Sequence, residues 1–202
     1  MKEQKIAVVL VHEIYGVNKH MEYIQERLLQ QGIHVVCPNL LNKEYPYAYS
    51  QETVAYQHFM QTVGFNYGVQ QIHQIIVDLK ERYEKVGIVG FSVGATMAWL
   101  CSKNEMCDFV IGCYGSQIRS YIDIEPICQT LLIFPTKEKA FNIHNLVETL
   151  VEKENKNLQL KIFPGIHGFI DSFSPNYHEL SAIKALQCID EFLQSNSSFN
   201  SF

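Results

Sequence analysis

Six short runs of β-branched and aliphatic residues, each separated from the next by a longer segment, constrain this chain more than any other feature. The runs are Lys5–His12, His34–Asn39, Val86–Phe91, Phe109–Tyr114, Thr130–Pro135 and Leu158–Phe163, mostly apolar and without strict alternation. Continuous apolar runs of this length suit parallel strands covered on both faces. The spacing between them predicts helices over Val17–Gln31, Gln51–Val63, Val69–Glu84, Val93–Lys103, Asn142–Glu154 and Tyr177–Gln194. Ile72, Ile75, Ile76 and Leu79 share one helical face, and Gly32 is a stop signal after the first helix. Strands that alternate with helices need crossover connections. The expected fold class is therefore α/β, a mainly parallel sheet of about six strands with helices on both faces. One domain covers residues 1–194, and the polar, serine-rich stretch 195–202 is expected to fray. The long irregular stretch is Leu41–Gln51, rich in tyrosine.

Composition narrows the function classes. Hydrophobic residues make up 47% of the 202 positions and charged residues 18%, which excludes a disordered or coiled-coil chain. Sixteen Lys plus Arg against twenty-one Asp plus Glu leave a net charge of -5, and the basic residues form no patch. Nucleic acid and anionic membrane surfaces thus lose their electrostatic warrant as partners. The apolar stretch Ile6–Val11 is too short for a signal peptide or a span. Cys37, Cys101, Cys107, Cys113, Cys128 and Cys188 show neither C-x-x-C nor zinc-ligand spacing, so buried reduced thiols and a cytoplasmic location are expected. No metal or organic cofactor is implied.

In a parallel sheet the chemistry gathers at the carboxyl ends of the strands. Gly90-Phe91-Ser92-Val93-Gly94 is a G-x-S-x-G between the run Val86–Val89 and the helical segment Ala95–Leu100. A strand that turns sharply into a helix exposes such a serine hydroxyl above the sheet. A serine needs a base to remove its proton during attack. His167, in Gly165-Ile166-His167-Gly168-Phe169, is the histidine in the loop after the last run. His58, His73, His144 and His178 fall in helices, and His20 reads as helical surface. A carboxylate must orient the imidazole. Glu138 follows the fifth run; Asp171, four residues after His167, is a rival, and Asp123 a weaker one. The oxyanion donors would be the backbone N–H groups of Val93 and of Ile14, in the loop after the first run. His12-Glu13 does not open a zinc H-E-x-x-H motif, because position 16 is glycine.

At these residues the chain resembles the dienelactone hydrolase family of α/β-hydrolases. Glu13-Ile14-Tyr15-Gly16-Val17-Asn18 is similar to the family's E-[IV]-[FY]-G-[VL]-N segment, and Val36-Cys37-Pro38-Asn39-Leu40 to its V-x-P-D-L. Val86–Ala95 resembles the nucleophile segment, and Gly165–Phe169 the segment around the catalytic histidine. The resemblance implies a compact α/β-hydrolase fold with strand order 2-1-3-4-5-6. It assigns Ser92 as nucleophile, His167 as base, Glu138 to the acidic position, and Ile14 and Val93 to the oxyanion hole. Glu13 takes the place of a glutamate that interacts with the resting nucleophile. Three departures stand out. Ser92 replaces the cysteine of the founding enzymes, and the leading strands of longer relatives are missing. Asp171 replaces an arginine that binds the lactone carboxylate, and the region around Glu52 also lacks one, so an acidic lining is expected to repel such a substrate.

The expected function is acyl transfer from a small to medium ester, lactone or thioester to Ser92, then to water. Tyr15, Tyr114 and Phe169, with Phe65, Tyr67 and the Tyr45–Tyr49 segment, are candidates for the pocket wall. The alternative is a ligand-binding or interaction module on the same fold. A peptidase or carbon–carbon hydrolase is a rival within the enzyme class. The sequence leaves the oligomeric state open.

Overall fold

A computed structural model describes residues 4–197. Six parallel strands form one sheet: β1 (Gln4–Val11), β2 (His34–Val36), β3 (Tyr83–Phe91), β4 (Phe109–Cys113), β5 (Gln129–Pro135) and β6 (Leu158–Phe163). Their order is β2-β1-β3-β4-β5-β6, as the resemblance implies. The helices are α1 (Lys19–Leu29), α2 (Glu52–Thr62), α3 (Gly64–Lys80), α4 (Val93–Cys101), α5 (Ile143–Glu152) and α6 (Glu179–Ser197), with short 3-10 turns at Tyr49–Gln51 and Ser116–Ser120.

The apolar run of β1 shows why the sheet is covered twice. Val8 and Leu10 face Met21, Ile24 and Leu28 of α1 and Leu186, Ile189 and Phe192 of α6. Ala7, Val9 and Val11 face the opposite layer, with Phe59 of α2, Ile72 and Ile76 of α3 and Met97 of α4. A third cluster packs Ile143, Leu146 and Leu150 of α5 against Leu132, Phe134 and Trp99. The edge strand β6 differs from the expected fully covered run. Leu158 and Leu160 are half-buried, whereas Gln159 and Lys161 are exposed, so it alternates as an edge strand does.

Helix boundaries depart from the sequence expectation chiefly at α3, which begins at Gly64 rather than Val69. Gly68 is not a breaker there. A Cβ on it would lie 2.3 Å from Met97 Sδ, so its missing side chain lets α3 close onto α4. α3 also ends at Lys80, and β3 begins at Tyr83, earlier than the apolar run suggested. His20, expected on the helical surface, is fully buried against Phe91, their rings 4.8 Å apart. The helix α6 runs through Ser195 to Ser197, past the expected start of the frayed tail; residues 198–202 of that tail lie outside the described residues.

The strand order reverses between β1 and β3, since β2 lies on one side of β1 and β3 to β6 on the other. That switch point opens a crevice at the carboxyl ends of β1 and β3. The loop holding Glu13, Ile14 and Tyr15, and the turn holding Ser92, leave the sheet there.

Candidate active site

Ser92 occupies the sharp turn between β3 and α4, at φ 54° and ψ −114°, a conformation that L residues rarely adopt. Its neighbours hold it there. The Ser92 N–H donates to the Cys113 carbonyl at 2.9 Å, and the Thr96 N–H donates to the Ser92 carbonyl at 3.1 Å. Gly94 is needed because a Cβ there would stand 2.3 Å from the Val11 carbonyl oxygen. The strain lifts the hydroxyl off the sheet, into reach of the loops that follow β1, β5 and β6.

His167 comes from the β6 loop and Glu138 from the β5 loop. His167 Nε2 lies 2.8 Å from Ser92 Oγ, and His167 Nδ1 lies 2.9 Å from Glu138 Oε1. The Lys137 N–H donates to the Gly165 carbonyl at 3.2 Å and ties the two loops together, and within the β6 loop Asn176 Nδ2 donates to the His167 carbonyl at 2.8 Å. The carboxylate fixes the imidazole so that Nδ1 carries the proton and Nε2 accepts from the serine. Burial opposes protonation of His167. The hydrogen bond and charge of Glu138, aided by Glu13 and Glu52, outweigh it and raise the imidazole pKa above its ordinary value. A hydroxyl, an imidazole and a carboxylate joined in this order can generate a serine nucleophile near neutral pH.

The rival carboxylates are elsewhere. Asp123 is exposed. Asp171 is fully buried and accepts hydrogen bonds from the Tyr49 hydroxyl and the Phe173 N–H. Val93 opens α4, so its N–H belongs to the donors a helix leaves unpaired at its start. Among the described residues no protein acceptor takes the Ile14 N–H either. Glu13 is buried beside the cavity. Burial, then the charge of Asp171, push its carboxyl up to about 7, although His167 and the Tyr114 hydroxyl act against this. No hydrogen bond joins Glu13 to Ser92, whose hydroxyl is engaged with His167.

These groups border a cavity of about 450 Å³. Glu13, Ile14, Tyr15, Ser92, Val93, Glu138 and His167 all line it. Tyr114 and Phe169, expected in its wall, do not. Both are fully buried behind it, where the Tyr114 ring supports His167 edge-on at 5.1 Å and also packs against Phe169. Of the tyrosine-rich segment only Tyr49 reaches the lining, while Phe65 is core and Tyr45 and Tyr67 face solvent. Arg119, Asn176, Glu52 and Tyr56 line the cavity without having been singled out as lining. Arg119 lies in the 3-10 turn Ser116–Ser120 beyond β4, and Asn176 well past the glycine-flanked histidine. Glu52 and Tyr56 belong to α2, which no strand end announces. The expected acidic lining needs correction too: Asp171 is buried away from the cavity, and Arg119, Lys137 and Lys139 balance Glu13, Glu52 and Glu138. Among the described residues, no group of three or more His, Cys, Asp or Glu side chains could hold a metal ion, and no helix is long and apolar enough to cross a membrane.

The family model of the dienelactone hydrolase family matches residues 1–197. The chain is 34% identical over 191 residues to the protein YczH of Bacillus subtilis (strain 168), covering 95% of this chain and 94% of that one. It is 24% identical over 190 residues to carboxymethylenebutenolidase 1 of Cupriavidus pinatubonensis (strain JMP 134 / LMG 1197), covering 88% and 81%. The backbone is similar to a crystal structure of a candidate dienelactone hydrolase from Klebsiella pneumoniae subsp. pneumoniae MGH 78578, with TM-score 0.76 at 18% identity over 93% of this chain and 86% of that one. That last likeness is one of fold, the α/β-hydrolase fold. With a family match along nearly its whole length and a one-third-identical relative matched over 95% of this chain, the chain belongs to the dienelactone hydrolase family.

Proposed function

We propose that the protein is a serine hydrolase that cleaves small to medium esters, lactones or thioesters through an acyl-enzyme. The observation that carries this reading is the chain of contacts from Ser92 Oγ to His167 Nε2 and from His167 Nδ1 to Glu138 Oε1, at 2.8 and 2.9 Å. Ser92 Oγ attacks the carbonyl carbon while His167 Nε2 takes its proton. The oxyanion forms beside the Ile14 and Val93 N–H groups, where fixed donors stabilise developing charge. The tetrahedral intermediate collapses, the C–O or C–S bond to the leaving group breaks, and His167 returns the proton to it. Water then attacks the acyl-enzyme with His167 again as base, and Ser92 is released with the acid.

The balanced cavity charge bears on the substrate. With Asp171 buried against Tyr49, the charge argument against a carboxylate-bearing lactone falls away, so such lactones belong in the substrate panel. A panel of aryl esters, aryl thioesters and lactones, assayed with wild type and Ser92→Ala, tests the reading. Ser92→Ala should lower kcat by about 10⁴–10⁶-fold, as loss of a triad nucleophile does. Undiminished turnover by that variant would overturn the assignment.

A further inference from the structure

The Tyr49–Asp171 pair is part of neither the nucleophile relay nor the oxyanion donors, yet it ties together the loops that carry them. Asp171 follows His167 by four residues on the β6 loop and is fully buried. A buried carboxylate is costly to keep unless its oxygens are hydrogen-bonded. One oxygen accepts from the Tyr49 hydroxyl. The other accepts from the Phe173 N–H at 2.8 Å and lies 3.8 Å from Nδ1 of the buried His20, near the start of α1. Tyr49 belongs to the β2–α2 connection, and three further contacts bind that connection to the oxyanion loop. Its ring packs edge-on against Tyr15, centroids 4.9 Å apart, and its hydroxyl accepts from Asn18 Nδ2 at 3.4 Å. Two residues earlier, the Tyr47 N–H donates to the Tyr15 carbonyl at 2.9 Å.

Tyr49 is thus bonded at its hydroxyl to the histidine loop and packed at its ring on the residue next to Ile14. It also lines the cavity. Resting on the hydrolase reading above, we infer that Tyr49 and Asp171 are positioning residues for acyl transfer. They form a strut that fixes the histidine loop against the oxyanion loop. Nucleophile, base and oxyanion donors must be held to about half an ångström to act together. A misplacement of about 1 Å costs on the order of 10²-fold in rate. The strut sets that separation from outside the reacting groups.

The test compares wild type, Tyr49→Phe, Asp171→Asn, the double variant and Tyr45→Phe, a control on an exposed ring of the same segment. Active sites are titrated with a fluorophosphonate, and kcat is expressed per labelled site, which removes any loss due to unfolded protein. Tyr49→Phe keeps the ring and removes only the half-buried hydroxyl, so it should fold even if Asp171→Asn does not. The strut requires kcat per labelled site to fall about tenfold in each single variant, with KM within twofold. The double variant should lose no more than the larger single loss, because both changes break one contact. Tyr45→Phe should match wild type. Full kcat per labelled site in Tyr49→Phe, a change in KM alone, or additive losses in the double variant would overturn the strut. Failure of wild type to label and turn over would instead overturn the hydrolase reading.

Discussion

At the scale of single residues the decisive groups are His167, Glu138 and Glu13. The proposed reaction needs His167 neutral, and Glu138 raises its pKa, so kcat/KM should rise with pH through a midpoint above the ordinary imidazole value of about 6.5. Glu138→Gln removes the charge that holds the proton. A pH–rate profile should show this midpoint moving down, with kcat lower by about 10³–10⁴-fold, as in triads that lose their acid. A profile that keeps its midpoint would show that Glu138 does not act on His167. Glu13 gives a stability test. Its carboxyl holds a proton to about 7 in the folded chain, against 4.5 for its ordinary value. The folded state therefore binds the extra proton between those values. The associated stability is fully present below the ordinary value and lost as pH rises through about 7. Glu13→Gln should raise stability at pH 8 by roughly 1–3 kcal/mol in urea unfolding and leave it nearly unchanged at pH 4. It should also move the acid limb of the rate profile down, because Glu13 raises His167.

At the scale of elements, two glycines that look alike in sequence do different work. A Cβ on Gly94 would meet the backbone oxygens of Val11 and His12 at 2.3 and 2.8 Å, where nothing can give without moving β1. Gly94→Ala should therefore cost about 3 kcal/mol or more and disable the elbow. A Cβ on Gly68 would meet the flexible end of Met97, and alanine is the better helix former by about 1 kcal/mol. Gly68→Ala should stay within about 1 kcal/mol of wild type. Thermal unfolding of the two variants side by side checks the contrast. The same pair shows what was legible. Gly94 could be read because a short motif fixes its place between strand and helix. The start of α3 at Gly64 is not legible, because a glycine that admits a neighbouring helix and one that ends a helix have the same local signature. β6 was placed correctly within its bounds, but its half-exposure follows from standing at the sheet edge, which only the assembled order determines.

At the scale of the whole molecule, the sheet brings Ser92, Glu138 and His167 together from positions 92, 138 and 167. These residues were legible because each follows a strand, and every parallel strand delivers its loop to the same edge. Tyr114 and Phe169 were misplaced for a related reason: adjacency to a strand end does not say which way a ring turns. Tyr114 turns inward to support His167, and Phe169 turns inward to pack against Tyr114. The sequence offers Asp171 as a rival acid and as an acidic lining residue, but not as the partner of Tyr49, which lies 122 positions away. The core makes a separate claim about the thiols. Cys101, Cys107, Cys113 and Cys128 are buried, whereas Cys37 and Cys188 are half-buried, and burial pushes the Cys37 thiol up to about 12. A disulfide-exchange reagent should therefore react with no more than two thiols in the native protein, Cys188 before Cys37, and with six in urea. The central claim, an activated serine at the switch point of the sheet, is tested most directly by intact-mass labelling with a fluorophosphonate. Wild type should gain one phosphonyl group, and Ser92→Ala and His167→Ala should gain none. A folded wild type that stays unlabelled, or a Ser92→Ala variant that labels as well as wild type, would contradict it.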